Sequence, residues 1–379
     1  MKLFNLHKQA AIAACFAFTL TNIVKAQTDT TTSPGTETTS EDEDFSMYDD
    51  VGFADQGAKR YCSPKIEGLS PAKLISLGFD FQGPYQMNLD TFNNDLNQGF
   101  PENGKSTITS GARFACNIPV ISKTSVVWQL GANYWESGYK IMDKGPLAVG
   151  YVENPMLKSL YSNGLRTMGI NTTLFKPLND KRFLLFQGSA DMSGDYNWKL
   201  MPARYMKYSA ALIYGKRPSE RKQWGVGLAR TYRAGELNYI PIIFYNSTDA
   251  SNKWGSEILF PARAHVRRTI NSRNMLFAGY ELEGQSYRLY RMESIRNQDL
   301  EIRRAEIRLR AVYEFSLKDF IWMSIQAGYR INYRYDVDRL SNGNEIYRAF
   351  GLASDEPYIM QNTLTNPFYF NVSVNLVSP

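Results

Sequence analysis

The segment Leu300–Tyr335 sets the pattern for the chain. Ala305, Ile307, Leu309, Ala311, Tyr313 and Phe315 share one parity, and Arg304, Glu306, Arg308, Arg310 and Glu314 share the other. After the turn Ser316–Asp319 the alternation resumes. Ile321, Met323, Ile325, Ala327, Tyr329 and Ile331 now lie opposite Ser324, Gln326, Gly328, Arg330, Asn332 and Arg334. A period of two defines β-strands, and two such runs around a tight polar turn define an antiparallel hairpin. Each run is about fourteen residues, against a usual strand length of roughly five or six.

The same alternation recurs along the chain. Apolar positions alternate from Ile75 to Phe81, Ala112 to Ile118, Val126 to Tyr134, Met168 to Leu174, Leu184 to Met192, Met206 to Tyr214 and Trp224 to Leu228. It continues through Ile240, Ile242 and Phe244, then Trp254 to Phe260, Ala262 to Val266, Leu276 to Leu282 and Phe368 to Leu376. Pro261 has no N–H to donate, so a break belongs there. Counting a strand on each side of it gives fourteen, and the runner-up is twelve. Short turns at Pro119–Lys123, Lys176–Asp180, Arg217–Glu220, Asn246–Lys253 and Ser316–Asp319 fall on one side. Long connections near 136–161 and 336–366 fall on the other, and Arg233–Glu236 is read as a tight connection. With both termini on the short-turn side, only an even count closes the alternation. The predicted fold is all-β: a transmembrane antiparallel up-and-down β-barrel with its apolar parity toward lipid and its charged parity toward a wet lumen. A secreted soluble β-sandwich, with the apolar face against a second sheet, is the alternative.

The termini and composition extend this reading. Met1–Ala26 has the charged start, apolar stretch and small final residue of a signal peptide. The Ile12–Cys15 lipoprotein box is rejected because the apolar run continues past Cys15. Residues 27–60 form an acidic leader expected to be disordered, and 61–379 form the barrel. After residue 26 no apolar run approaches the eighteen or so residues of a membrane helix, so any crossing is made by strands. The full chain carries 43 Lys and Arg against 37 Asp and Glu. Nine of the acids lie in Gln27–Gly57, which has no Lys or Arg, so the body is basic. Aromatic residues near strand ends (Trp128, Tyr134, Trp224, Tyr232, Trp254, Tyr280, Tyr313, Tyr333 and Phe368) suit interfacial girdles.

The alternation with short Pro/Asn/Asp/Lys turns, the Trp254–Pro261 segment, the 304–333 hairpin and the closing Phe368–Leu376 strand resemble an uncharacterised outer-membrane β-barrel family of Bacteroidota, a domain of unknown function. Cleavage before Gln27 is similar too. The resemblance covers about residues 62–377 and implies an outer-membrane location, with no activity to carry over. The chain departs from many such barrels in ending Leu376-Val377-Ser378-Pro379 instead of on an aromatic residue.

Candidate chemistry is sparse. The mature chain has one histidine, His265, flanked by Arg263 and Arg267. An outer-membrane hydrolase of the phospholipase kind would rest on it, and a lumenal structural role is the simpler reading. Glu281 and Glu283 lie two apart on one face, as glycosidase carboxylates can, but they oppose an Arg-rich strand and read as charge pairs. The candidate lumen stripe is Arg263, His265, Arg267, Glu281, Glu283, Arg304, Glu306, Arg308, Arg310, Glu314, Arg330 and Arg334. In a pore, Arg304, Arg308, Arg310 and Arg330 bias conduction toward anions. Cys62 and Cys116 are a candidate disulfide, with a free buried thiol at Cys116 as the alternative. No phosphate loop, dinucleotide fingerprint, metal set or cofactor motif is present, and nucleic acid is not an expected partner. The expected partners are the outer-membrane bilayer, its assembly machinery, and small solutes or anions. The expected function is a non-enzymatic pore, passive transporter or structural barrel.

Overall fold

The computed structural model describes residues 65–90, 102–142, 154–196, 206–232, 237–289, 300–339, 348–349 and 359–378. The chain divides into Met1–Ala58 and Lys59–Pro379, and every described residue lies in the second unit. The signal peptide, the acidic leader, Cys62 and the Arg233–Glu236 connection fall outside the described residues.

Among the described residues, seventeen strands form one sheet. They are β1 (Lys73–Gln82), β2 (Tyr85–Leu89), β3 (Glu102–Lys123), β4 (Val126–Ile141), β5 (Leu165–Pro177), β6 (Arg182–Gly194), β7 (Lys207–Ser219), β8 (Lys222–Thr231), β9 (Asn238–Thr248) and β10 (Trp254–Phe260). Then come β11 (Arg263–Asn271), β12 (Asn274–Leu289), β13 (Leu300–Lys318), β14 (Ile321–Arg339), β15 (Arg348–Ala349), β16 (Thr363–Leu364) and β17 (Phe368–Val377). Fourteen of them close a ring. β1 pairs with β3, each strand from β3 to β14 pairs with its successor, β14 pairs with β17, and β17 returns to β1. Every wall pairing is antiparallel. The short strands β2, β15 and β16 lie against the wall at one end.

The fourteen-strand expectation holds, and Pro261 explains it. Pro261 and Ala262 form a two-residue connection between β10 and β11. The sequence turns at one end are also found, with shifted limits. β3 continues through Pro119 to Lys123, and Thr124–Ser125 makes the turn. A short turn at 272–273 separates β11 from β12 and was not marked by Gly or Pro.

Side-chain parity is sorted as lipid on one side and lumen on the other. Leu77, Phe79, Ile118, Leu130, Ile170, Leu212, Val226, Leu228, Val266, Leu309 and Val374 point outward and are exposed. Such a belt of large apolar side chains has no stable place in water. Asp80, Asn133, Asp191, Arg267, Glu306, Arg308 and Arg330 point inward and are buried. An even-numbered closed barrel with this polarity is the outer-membrane architecture, and the protein is an outer-membrane β-barrel. The termini of the ring and the short turns mark the periplasmic end. Near it, Trp224 and Trp254 face outward with Lys216 and Arg268 against their rings, 5.8 and 5.2 Å from the centroids. These are the anchors expected at a headgroup boundary. Tyr232 differs from that expectation, because it is buried.

The wall is uneven in height. β13 and β14 have 19 residues each, about 60 Å of strand, whereas β10 has 7. β12 loses its β11 neighbour after Leu282, whose N–H bonds Ala262 O at 2.8 Å. Beyond that point β12 leans across the mouth. Arg288 bridges Gly194 of β6, nearly half-way round the ring, and Asp195 N–H donates to Arg288 O at 3.0 Å. Residues 284–289 are accordingly buried on both faces.

The space under this crossing is filled. Helix α1 (Pro155–Asn163) inserts Met156, Leu157 and Leu160. Asn154 caps its start, accepting from Met156 N–H at 3.0 Å, and Gly164 ends it at φ +68°. Around it pack Tyr85, Met87, Leu89, Tyr139, Tyr287, Leu289, Leu300, Ile302, Tyr335, Val337 and Met360. The expected long loop near 136–161 thus begins as strand, to Ile141, and ends in this helix.

Candidate functional site: the barrel lumen

The lumen carries two unlike walls. The first is an ionic network built by β1, β3, β11–β14 and β17, whose inward residues meet because neighbouring strands run in register. Glu283 lies directly opposite Glu306, a like-charge pair that would repel on its own. Arg308 resolves it, with Nε on Glu306 Oε1 at 2.6 Å and an Nη on Glu283. Glu306 also accepts from Arg304 at 2.8 Å and lies 3.5 Å from Arg330. Arg330 donates to Gln82 Oε1 at 2.8 Å. Arg113 joins Asp80 to Glu283, the second contact at 3.0 Å. The Arg308 and Arg330 guanidinium groups lie 5.5 and 5.0 Å from the Tyr369 ring centroid.

The network extends to β11. Arg310 contacts Glu281 and donates from Nε to His265 Nε2 at 3.0 Å. Because Arg310 cannot accept, this contact makes Nε2 the acceptor and leaves the imidazole lone pair occupied. Lower on the same wall, Arg267 is wholly buried, with Glu257 at 2.7 Å and Thr248 Oγ1 at 2.9 Å. Gly255 makes room for it. A Cβ there would lie 2.3 Å from Arg267 Nη2.

Across the lumen the wall changes character. Inward positions of β4–β10 carry Phe175, Phe183, Leu185, Ile213, Ile240, Ile242 and Phe244 beside Gln129, Gln187 and Asn246. Two cavities of about 160 and 200 Å³ lie here and share Leu185 and Phe244. Gln187 is inward-facing yet exposed. The segment before β1 crosses the periplasmic mouth beneath them. Glu67 N–H bonds Glu220 O at 2.9 Å, its carboxylate accepts from Arg221 at 2.8 Å, and its carbonyl accepts from Thr248 at 2.8 Å.

Of the twelve candidate lumen residues, Arg263, His265, Arg267, Glu281, Glu283, Arg304, Glu306, Arg308, Arg310, Glu314 and Arg330 take inward positions. Arg334 does not. A register shift places Ala305 opposite Arg334 and Glu306 opposite Asn332, leaving Tyr333 as the extra residue. The bulge flips the parity, so Tyr335 and Val337 turn inward and are buried. The stripe is also not a free positive surface, because each of Arg304, Arg308, Arg310 and Arg330 lies within ion-pairing distance of a carboxylate. Glu314 pairs with Lys73 of β1.

Ile240, Ile242 and Phe244 depart from the lipid-facing expectation and face the lumen, with Ile243 and Tyr245 outward. Their sequence offers apolar residues at both parities, so alternation had no power to choose. Asp80, Arg113 and Tyr369 belong to the ionic network and were absent from the candidate stripe. Charge at inward parity was the available signal for the first two. Cys116 lies on the outward face of β3, and its proposed partner Cys62 is outside the described residues. Among the described residues no group of three or more His, Cys, Asp or Glu is placed to hold a metal.

No family model and no curated protein matches the chain. Among solved structures it is similar to an outer membrane channel of Pseudomonas putida F1 at 10% identity and a TM-score of 0.33, covering 82% of this chain and 97% of that one. The toluene transporter TodX of Pseudomonas putida matches at 9% identity and a TM-score of 0.31, covering 84% and 95%. The β domain of the Bordetella autotransporter BrkA matches at 9% and 0.27, covering 82% and 100%. At these scores none bears on what this barrel does.

Proposed function

We propose that this outer-membrane barrel is a non-enzymatic passive transporter of small solutes, held closed at its extracellular mouth by the β12 crossing. The observation that supports this is the cavity along β4–β10, where polar groups such as Gln187 remain exposed inside the wall. His265 supports the non-enzymatic reading, because its Nε2 is occupied by Arg310 and a general base needs a free lone pair.

Gly194 is the lever for a test. A Cβ at this position would sit 2.5 Å from Arg288 O, so any larger residue pushes the crossing off β6. Purified protein in planar bilayers should show small, infrequent openings. Gly194→Val should raise the open time severalfold, with anions favoured only weakly because the arginines are paired. If Gly194→Val conducts no more than the parent protein, the transport reading fails. A closed structural barrel is the second reading, and the ion pairs and apolar plug that fill much of the lumen favour it. Membership of the Bacteroidota barrel family stands beside both readings as a proposal.

A further inference from the structure

The larger cavity has a chemical bias of its own. Its apolar surface comes from Leu69, Leu185, Phe244 and Leu259, and its neutral polar groups include Gln187 and Asn246. Its charged lining is one carboxylate, Glu257, and one cation, Arg263. Arg263 faces inward at the end of β11 and is exposed. It stands opposite Glu281 in register, but that carboxylate is bound by Arg310. The nearby Glu257 holds Arg267 at 2.7 Å. Among the described residues Arg263 makes no ion pair, unlike Arg267, Arg308 and Arg310 along the same wall.

An unpaired guanidinium beside an apolar hollow recognises two things at once. The planar fork matches a carboxylate, and the hollow takes up hydrocarbon released from water. An inorganic anion would leave the apolar wall uncovered, and a neutral hydrocarbon would leave the cation unused. We propose that the cavity is a binding site for a small organic anion, with its carboxylate on Arg263 and a compact apolar body against Leu185, Phe244 and Leu259. Gln187 and Asn246 are placed to donate to the remaining carboxylate oxygen. This deepens the transport reading by naming the solute class.

Titration calorimetry on the full detergent-purified chain tests it, with cyclohexanecarboxylate as the probe and cyclohexylmethanol as its neutral counterpart. The carboxylate should bind about tenfold more tightly than the alcohol, and rising salt should narrow the difference. Arg263→Gln should remove that preference, and Arg263→Lys should restore part of it. Arg263 is exposed, so both variants should melt as the parent does. Equal binding of acid and alcohol, no binding of the acid, or an unchanged preference in Arg263→Gln would overturn the site. Binding is read at equilibrium, so it separates from flux. Intact binding in a barrel that passes no solute removes the transport reading and leaves the site standing.

Discussion

Glu306 is the hinge of the lumen's charge balance. It is almost wholly buried and carries arginines at 2.6, 2.8 and 3.5 Å. Neutralising it strands Arg304 and takes one of two carboxylates from Arg308 and Arg330, which keep Glu283 and Asp80, and breaking a buried pair from one side costs roughly 3–5 kcal/mol. Glu306→Gln should therefore lower the unfolding free energy obtained from urea titration by an amount in that range, and an unchanged value would show that the arginines are solvated. At the periplasmic mouth, the Arg221 hydrogen bond holds the exposed Glu67 carboxyl below its ordinary range. A lowered folded pKa means that this contact is fully present above the ordinary value of about 4.3 and is lost as pH falls through the lowered one. A spin label at residue 70 should stay ordered down to that ordinary value and gain mobility only below it. Release near neutral pH would refute the anchor. The inward set from Arg263 to Arg330 was legible from parity alone. Arg334 was not, because a bulge leaves no mark in the residue pattern. Arg263 was legible as inward but not as unpaired, since pairing depends on which neighbour claims Glu281.

Strands carry the two-face logic, and β5 displays it in adjacent residues. Ile170 points to lipid with 63% exposure, and Asn171 points inward. Arginine near the bilayer midplane costs roughly 2–4 kcal/mol on the lipid face. Ile170→Arg should destabilise the refolded barrel by that amount, and Asn171→Arg should cost much less. Equal costs would mean that β5 does not separate two solvents. The existence of the fourteen wall strands was readable, including the pair divided at Pro261, whereas the short β2, β15 and β16 at the mouth were not. Strand length was not. β3 begins at Glu102, well before its alternation is clear, and β12 continues past its wall partner to cross the mouth. The crossing depends on a backbone contact at Gly194 six strands away in the ring, which a local pattern does not encode.

At the scale of the whole molecule, a high wall from β12 to β14 bends over a low wall around β10 and β11. The bend seals the outer mouth with apolar side chains, while paired charges fill one flank of the lumen and leave the other hollow. The basic balance of the sequence suggested a positive channel, whereas in three dimensions most of the inward arginines are tied to carboxylates. What persists is a closed ring with hydrocarbon outside and polar space within, and every functional proposal depends on it. Phe186 and Gln187 test it with two neighbouring residues on β6, one exposed to the outside and the other to the lumen. Nitroxides placed at each in turn, in protein reconstituted into bilayers, should respond oppositely to relaxing agents. The label at 186 should be relaxed by oxygen dissolved in lipid and ignored by a water-soluble nickel chelate, and the label at 187 should show the reverse. Water-soluble quenching at both sites, or the opposite assignment, would contradict the barrel.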